Sequence, residues 1–179
     1  MNRWRSLFCA ASCARIRAVN LRQKIISWEQ LPEWRTALRS SGKRLVVTNG
    51  CFDLLHAGHV FYLETARNLG DALLVGLNGD ASVRELKGPG RPVNSQEDRA
   101  IVLTALESVS GICIFAEPTA ARFLARAEPD IYVKGGDYTL DTLNQEERRI
   151  VEQCGGKIAI IPFTPGKSTT ALLKKISEL

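Results

Sequence analysis

The chain has 179 residues, 45% of them apolar and 24% charged, enough for one α/β domain with a substantial core and too few for two of ordinary size. Its formal charge of +5 invites a nucleic-acid partner, but residues 1 to 24 hold six basic residues (Arg3, Arg5, Arg15, Arg17, Arg22, Lys24) and no acid, leaving 18 basic against 19 acidic residues in the rest. That near-neutral body shows no basic stripe with interleaved aromatics, which argues against a nucleic-acid surface and leaves only the basic tail to carry one. The acid-free segment 1–24 overlaps in composition with an organelle transit peptide and is read instead as a disordered tail or a start placed too far upstream; Leu7 to Ala11 is too short for a secretory core. No apolar run approaches the roughly 20 residues of a membrane span. Five cysteines, an odd number without a secretory signal, imply reduced thiols in a cytoplasmic protein.

Ser27 opens a Ser-x-x-Gln capping pattern before Trp28, Leu31, Trp34 and Leu38, and Gly42 supplies a stop, so a short amphipathic helix precedes the first strand. Strands are predicted at Leu45 to Thr48, Ala72 to Leu77, Ile112 to Phe115, Ile131 to Lys134 and Ile158 to Ile161. Helices are predicted at Gly58 to Leu69, Gln96 to Leu106 behind Ser95, Thr119 to Ala127 behind Pro118, Gln145 to Cys154 behind Asn144, and Thr169 to Ile176 behind Ser168. Alternating strands and helices call for an α/β, Rossmann-like five-stranded parallel sheet with helices on both faces. The expected division is a tail over 1–24 and one domain over 25–179, made of an N-terminal helix (25–42) and a core (43–179). Ligands of such sheets bind at the carboxyl ends of the strands, and His56, Asn78, Lys134 and the turn after Ile161 all fall there.

The most informative stretch is Gly50-Cys51-Phe52-Asp53-Leu54-Leu55-His56-Ala57-Gly58-His59, which puts both histidines of the chain where a strand hands over to a helix. A helix N-terminus favours an anion through its unpaired N–H groups and its dipole, so imidazoles placed there suit phosphate. Asp53 is either a turn residue or part of a ligand pocket. Cys51 invites a thiolate reading, against which stands a small buried residue at a tight strand end. The Lys87 to Asn94 segment mixes glycines and prolines with Lys87 and Arg91, as a lid over phosphate or a solvated turn would. Gly135 and Gly136 allow close backbone approach to a ligand. Gly166-Lys167-Ser168 mimics the end of a P-loop, but the glycine that motif requires at position 161 is Ile161, so an ATPase is excluded. Ser168, Thr169 and Thr170 instead open the last helix, where hydroxyls and N–H groups can cap or bind.

Cys51 to His59 resembles the H-x-G-H motif of the nucleotidyltransferase superfamily that includes the cytidylyltransferases. Leu86 to Asn94, Val133 to Tyr138 and Gly166 to Thr170 narrow the likeness to the heptose 1-phosphate adenylyltransferases of ADP-heptose and lipopolysaccharide synthesis, in their stand-alone form. The resemblance implies AMP transfer from ATP to a heptose 1-phosphate by direct attack, with Mg²⁺ entering on the triphosphate and Asp53 as the candidate carboxylate. It implies catalytic roles for His56, His59 and Lys87, and nucleotide contacts from Cys51, Phe52, Asp53, Gly58, Arg99, Gly136, Asp137, Ser168, Thr169 and Thr170. Asn78, Arg91, Lys134 and Tyr138 fall to the sugar phosphate, although Lys134 and Asp137 are not divided between the two substrates. Without the resemblance, Arg99 reads as a surface helix arginine. Relatives associate, which implies a homo-oligomer such as a dimer. Thr164-Pro165-Gly166 lacks the arginine that glycerol-phosphate cytidylyltransferases carry before their Gly-x-Ser-Thr-Thr, and Lys167 replaces an apolar or aromatic residue; both departures weaken a CTP assignment. The alternatives are a CTP-dependent transferase for glycerol phosphate or a similar small phosphate, and a nucleotide-binding protein without turnover.

Overall fold

The computed structural model of the chain describes residues 20–136, 138–162 and 169–178. The tail through residue 19, Asp137 and the 163–168 segment with Ser168 lie outside the described residues, as does the side chain of Thr170.

Five strands, β1 (Leu45–Gly50), β2 (Ala72–Asn78), β3 (Gly111–Phe115), β4 (Ile131–Gly135) and β5 (Lys157–Ile161), pair in parallel in the order β3-β2-β1-β4-β5. Strands covered on both faces need continuous apolar runs. Leu45-Val46-Val47 and Leu73-Leu74-Val75 are such runs, and all six residues are fully buried. Seven helices complete the described fold: α1 (Leu31–Ser40), α2 (Ala57–Arg67), α3 (Asp80–Lys87), α4 (Gln96–Thr104), α5 (Ala121–Ala127), α6 (Gln145–Gln153) and α7 (Thr169–Ser177).

The period of two divides the core. Leu45, Val47, Leu74 and Tyr132 pack under α5, α6 and Leu31 of α1, whereas Val46, Leu73, Val75 and Val133 pack under Leu63 and Ala66 of α2 and Ala100 and Leu103 of α4. The chain runs outward from β1 through β2 to β3 and then crosses back to β4 on the other side of β1. The order therefore reverses between β1 and β4, and the crevice of such a sheet opens at their carboxyl ends.

The strand boundaries agree with the sequence reading to within two residues. The capping pair also forms: the Gln30 backbone N–H donates to Ser27 Oγ and the Ser27 backbone N–H to Gln30 Oε1, although α1 begins only at Leu31 because the box closes a turn ahead of the helix. Gly42 ends this region at φ +67, a conformation that favours glycine. Two elements escaped the sequence reading. α3 buries only Ser82 and Val83, too few apolar positions to show a period. Leu21–Lys24, placed with the tail, form a 3-10 turn, and Lys24 Nζ donates to the Leu106 carbonyl at 3.0 Å. Among the described residues no helix is long and apolar enough to cross a membrane.

Candidate active site

The site is built where β1 ends. Its last residues lead into Phe52, which adopts φ +43, a left-handed conformation that costs free energy for a bulky residue and concentrates at functional turns. A Cβ on Gly50 would lie 3.0 Å from the Phe52 ring, so the turn packs tightly upon itself. The ring in turn stands 5.4 Å from that of His59.

His56 is the N-cap of α2, in extended conformation, and His59 lies one turn further on. Their rings stack at 4.0 Å between centroids, and the His56 backbone N–H donates to His59 Nδ1 at 3.4 Å. Burial, reinforced by His56, pushes the His59 pKa down to about 4. His59 is therefore neutral at pH 7, and with Nδ1 accepting, its proton resides on Nε2 as a hydrogen-bond donor. A neutral donor and an imidazole stack thus stand at a helix start, which is the chemistry of an anion site.

The 88–95 segment between α3 and α4 is tied down over this turn. Asp53 Oδ1 accepts the Val93 and Asn94 N–H groups at 2.8 and 3.1 Å, the Asp53 carbonyl accepts Asn94 Nδ2 at 2.9 Å, and Asp53 Oδ2 faces Arg91 Nε at 2.7 Å. Lys87, the exposed last residue of α3, lies close enough that its charge acts on Cys51. Burial nevertheless raises the Cys51 thiol above its ordinary pKa, so Cys51 is a small residue at a tight strand end and not a ready nucleophile.

Across the crevice, at the end of β4, Lys134 Nζ donates to Asn49 Oδ1 at 2.9 Å and lies 3.4 Å from Glu147 Oε2. Tyr138, largely exposed, has its ring 5.6 Å from the same ammonium. Gly136, at φ +115, closes this corner with its N–H on the Ile161 carbonyl.

Residues 47–175, which span the motif turn, the sheet and the crevice, match the model of the cytidylyltransferase-like family. The chain belongs to that family. It is thus a nucleotidyltransferase, and the turn with the two histidines lies within the matched residues. The chain is 48% identical to the bifunctional protein HldE of Trichlorobacter lovleyi over 155 residues, which are 87% of this chain and 31% of that protein. It is 47% identical to bifunctional protein HldE of Wolinella succinogenes over 155 residues, 86% of this chain and 31% of the relative. The chain therefore spans about a third of the length of these curated relatives. The lipopolysaccharide core biosynthesis protein of Thermoplasma volcanium superposes with a TM-score of 0.57 at 26% identity, covering 69% of this chain and 98% of that one. Pantoate-beta-alanine ligase of Francisella tularensis, at 14% identity and a TM-score of 0.56 over 87% of this chain and 78% of its own, shares the fold.

In this cytidylyltransferase-like chain the residues expected at ligands divide into two groups. His56, Gly58 and His59 on α2, Phe52, Lys87, Arg91, Lys134, Gly136 and Tyr138 surround the crevice end of the sheet, and Thr169 is the first residue of α7, half-buried. Three others are redirected. Arg99 is 2% exposed, and its guanidinium donates to the carbonyls of Asn94, Cys51 and Asn78 and to Asp80 Oδ1; it pins segments together where a nucleotide contact or a surface arginine was expected. Asn78 is buried, its amide donating to Ser82 Oγ at 2.9 Å, so it caps inward and offers no side chain to a sugar. Asp53 is 4% exposed, its Oδ1 taken by two N–H groups of the 88–95 segment and its Oδ2, which makes no hydrogen bond, facing the Arg91 guanidinium, so the closed segment shields it from Mg²⁺; nor do the described residues hold another group of His, Cys, Asp and Glu suited to a metal.

The sequence reading missed Asn49, Tyr132 and Glu147 altogether. Asn49 and Tyr132 belong to apolar strands, where one polar atom leaves no pattern. Glu147 follows Asn144 by three residues, which signals only a helix start; Asn144 Oδ1 does accept the Glu147 N–H. What the pattern does not give is that this first turn faces the sheet.

Proposed function

We propose that the chain transfers AMP from ATP to D-glycero-β-D-manno-heptose 1-phosphate, releasing pyrophosphate and forming ADP-heptose for lipopolysaccharide core synthesis. The observation that carries this reading is the stacked pair of His56 and a neutral His59 at the start of α2, at the point where the strand order reverses. The sequence likeness of the Leu86 to Asn94 and Val133 to Tyr138 segments supports ATP and the heptose, and the similarity to two HldE proteins and to a lipopolysaccharide core biosynthesis protein agrees with that pathway.

Nucleotidyl transfer brings two anions together, so positioning and charge stabilisation do most of the work. An oxygen of the sugar phosphate attacks the α-phosphorus in line, the bond from that phosphorus to the bridging oxygen breaks, and pyrophosphate leaves with the electron pair. The attacking oxygen is already ionised, so no general base is needed. His59 donates from Nε2 and His56 from its imidazole to phosphoryl oxygens as charge builds. Lys87 supplies a cation from the end of α3, Arg91 one from the segment above, and Thr169 opens a further helix start with Ser168 and Thr170 beside it in the sequence. Lys134 receives the phosphate of the sugar, beside Tyr138, with Asp137 assigned to this end of the crevice by the resemblance alone. Mg²⁺ would lower the charge of the triphosphate it arrives with; Asp53 does not fit as its ligand, and no step is assigned to it. A homo-oligomer in the cytoplasm completes the proposal, on the strength of the resemblance and the cysteine usage.

Pyrophosphate release in the presence of Mg²⁺, with ATP and CTP each tried against the heptose 1-phosphate and glycerol 3-phosphate, tests it. Release with ATP and the heptose alone is the expected result. Release with CTP and glycerol phosphate would keep the chemistry and replace both substrates. Silence in every pairing would remove the proposed substrates.

A further inference from the structure

Lys134 is held by a network more elaborate than a surface lysine needs. Glu147 is 4% exposed. Its Oε1 accepts the Ala120 N–H at 2.9 Å, and its Oε2 accepts from the Tyr132 hydroxyl at 2.7 Å and lies 3.4 Å from Lys134 Nζ. The Tyr132 hydroxyl is equally 2.7 Å from Asn49 Oδ1, the atom that accepts from Lys134. Tyr132 is fully buried, and its ring lies 5.4 Å from the ammonium. Three residues, Asn49 of β1, Tyr132 of β4 and Glu147 of α6, thus form one polar cluster beneath a lysine whose side chain is only 14% exposed.

Burying a carboxylate costs free energy unless it is paired and hydrogen-bonded, and here the pairing fixes the ammonium at one place. One of the three Lys134 N–H groups donates to Asn49, and Glu147 Oε2 stands 3.4 Å away as the ion-pair partner, which leaves N–H groups of the ammonium for an oxygen of a ligand. The strand period locates that oxygen. Asn49, Tyr132 and Lys134 follow the residues that face α5 and α6, while α2 with its histidines covers the opposite face. The crevice therefore has two anion-handling groups on opposite faces of the sheet, suited to two different phosphates.

We infer that Glu147, acting with Tyr132 and Asn49, is a positioning residue that holds the Lys134 ammonium at the reversal point between β1 and β4 to receive the phosphate of the acceptor, apart from the triphosphate at the histidines. This rests on the proposed transfer to a sugar phosphate and adds to it the residues that separate the two substrates.

A double-mutant cycle tests it. Glu147→Gln keeps the shape and an acceptor for Ala120 but removes the charge, and Lys134→Met removes the cation. Acting through one contact, each should raise KM for the heptose 1-phosphate by about tenfold, the double variant no further, with KM for ATP unchanged. Tyr132→Phe, which leaves the charges in place, should give a smaller rise in the same parameter, and thermal melting of each variant checks that the fold is retained. Multiplying effects in the double variant, or a rise in KM for ATP equal to that for the sugar, would mark Glu147 as merely structural and overturn the inference. Inorganic phosphate, titrated against each protein by calorimetry, repeats the cycle without the sugar. A common loss of affinity in both single variants and the double supports the positioning role even where the wild type does not turn over the heptose, a result that would overturn only the proposed substrate. Equal phosphate affinity in all four proteins overturns the positioning role and leaves the transfer reaction standing.

Discussion

His59 combines two demands that rarely meet in one side chain. It must be neutral to accept the His56 N–H, and it must still donate a proton toward phosphate. Burial and the neighbouring imidazole meet the first by pushing its pKa down to about 4, and the Nδ1 contact meets the second by fixing the proton on Nε2. His59→Ala removes the donor, and turnover should fall roughly a hundredfold to a thousandfold, as for loss of other transition-state donors, while the melting transition persists. Activity at the wild-type level would remove His59 from the mechanism. The same shift has a cost in stability. The unfolded chain takes up a proton near pH 6.5 and the folded chain only near 4, so the stability present above pH 6.5 declines as pH falls through that interval. Melting temperatures recorded from pH 7 to 4 should therefore drop more steeply in the wild type than in His59→Asn, which cannot titrate. Parallel profiles would place the acid sensitivity in other groups.

At the scale of elements, the 88–95 segment is held by a buried carboxylate. Asp53 looked like a metal ligand in the sequence because its partners, the backbone N–H groups of Val93 and Asn94 forty residues away, carry no side-chain signature. Asp53→Asn removes the charge that faces Arg91 and weakens both N–H bonds, a loss of about 2 kcal/mol for charged hydrogen bonds of this kind. The segment should then open more often, and trypsin should cut after Lys87 several times faster, while the Mg²⁺ concentration for half-maximal turnover stays where it was. A large rise in that Mg²⁺ requirement with unchanged proteolysis would restore the role of metal ligand. By contrast, the α2 turn was legible: its histidines, glycine and preceding apolar strand lie within the fifteen residues from Leu45 to His59, so local pattern and local structure coincide.

For the whole molecule, the strand runs and capping residues were enough to give the sheet, since apolar strands and helix starts are written in neighbouring residues. The environment of Arg99 was not, because four separate pieces of chain create it. In sequence it follows Gln96-Glu97-Asp98 and looks solvated. In the fold it lies under the converging ends of β1 and β2, where its guanidinium bonds the Cys51 and Asn78 carbonyls at 2.6 and 2.9 Å, Asn94 at 3.1 Å and Asp80 at 2.7 Å. These contacts join the motif turn to the second strand, to α3 and to the segment that Asp53 holds, so the crevice depends on one planar cation. A lysine has the charge but not the fork, and its single ammonium reaches at most part of the set, leaving buried carbonyls without donors. Arg99→Lys should therefore lower the stability by roughly 2 to 4 kcal/mol, read as a lower urea midpoint at an unchanged slope. A midpoint within error of the wild type would mean that water or the lysine satisfies those carbonyls, and the strand ends would then be held together by their packing alone.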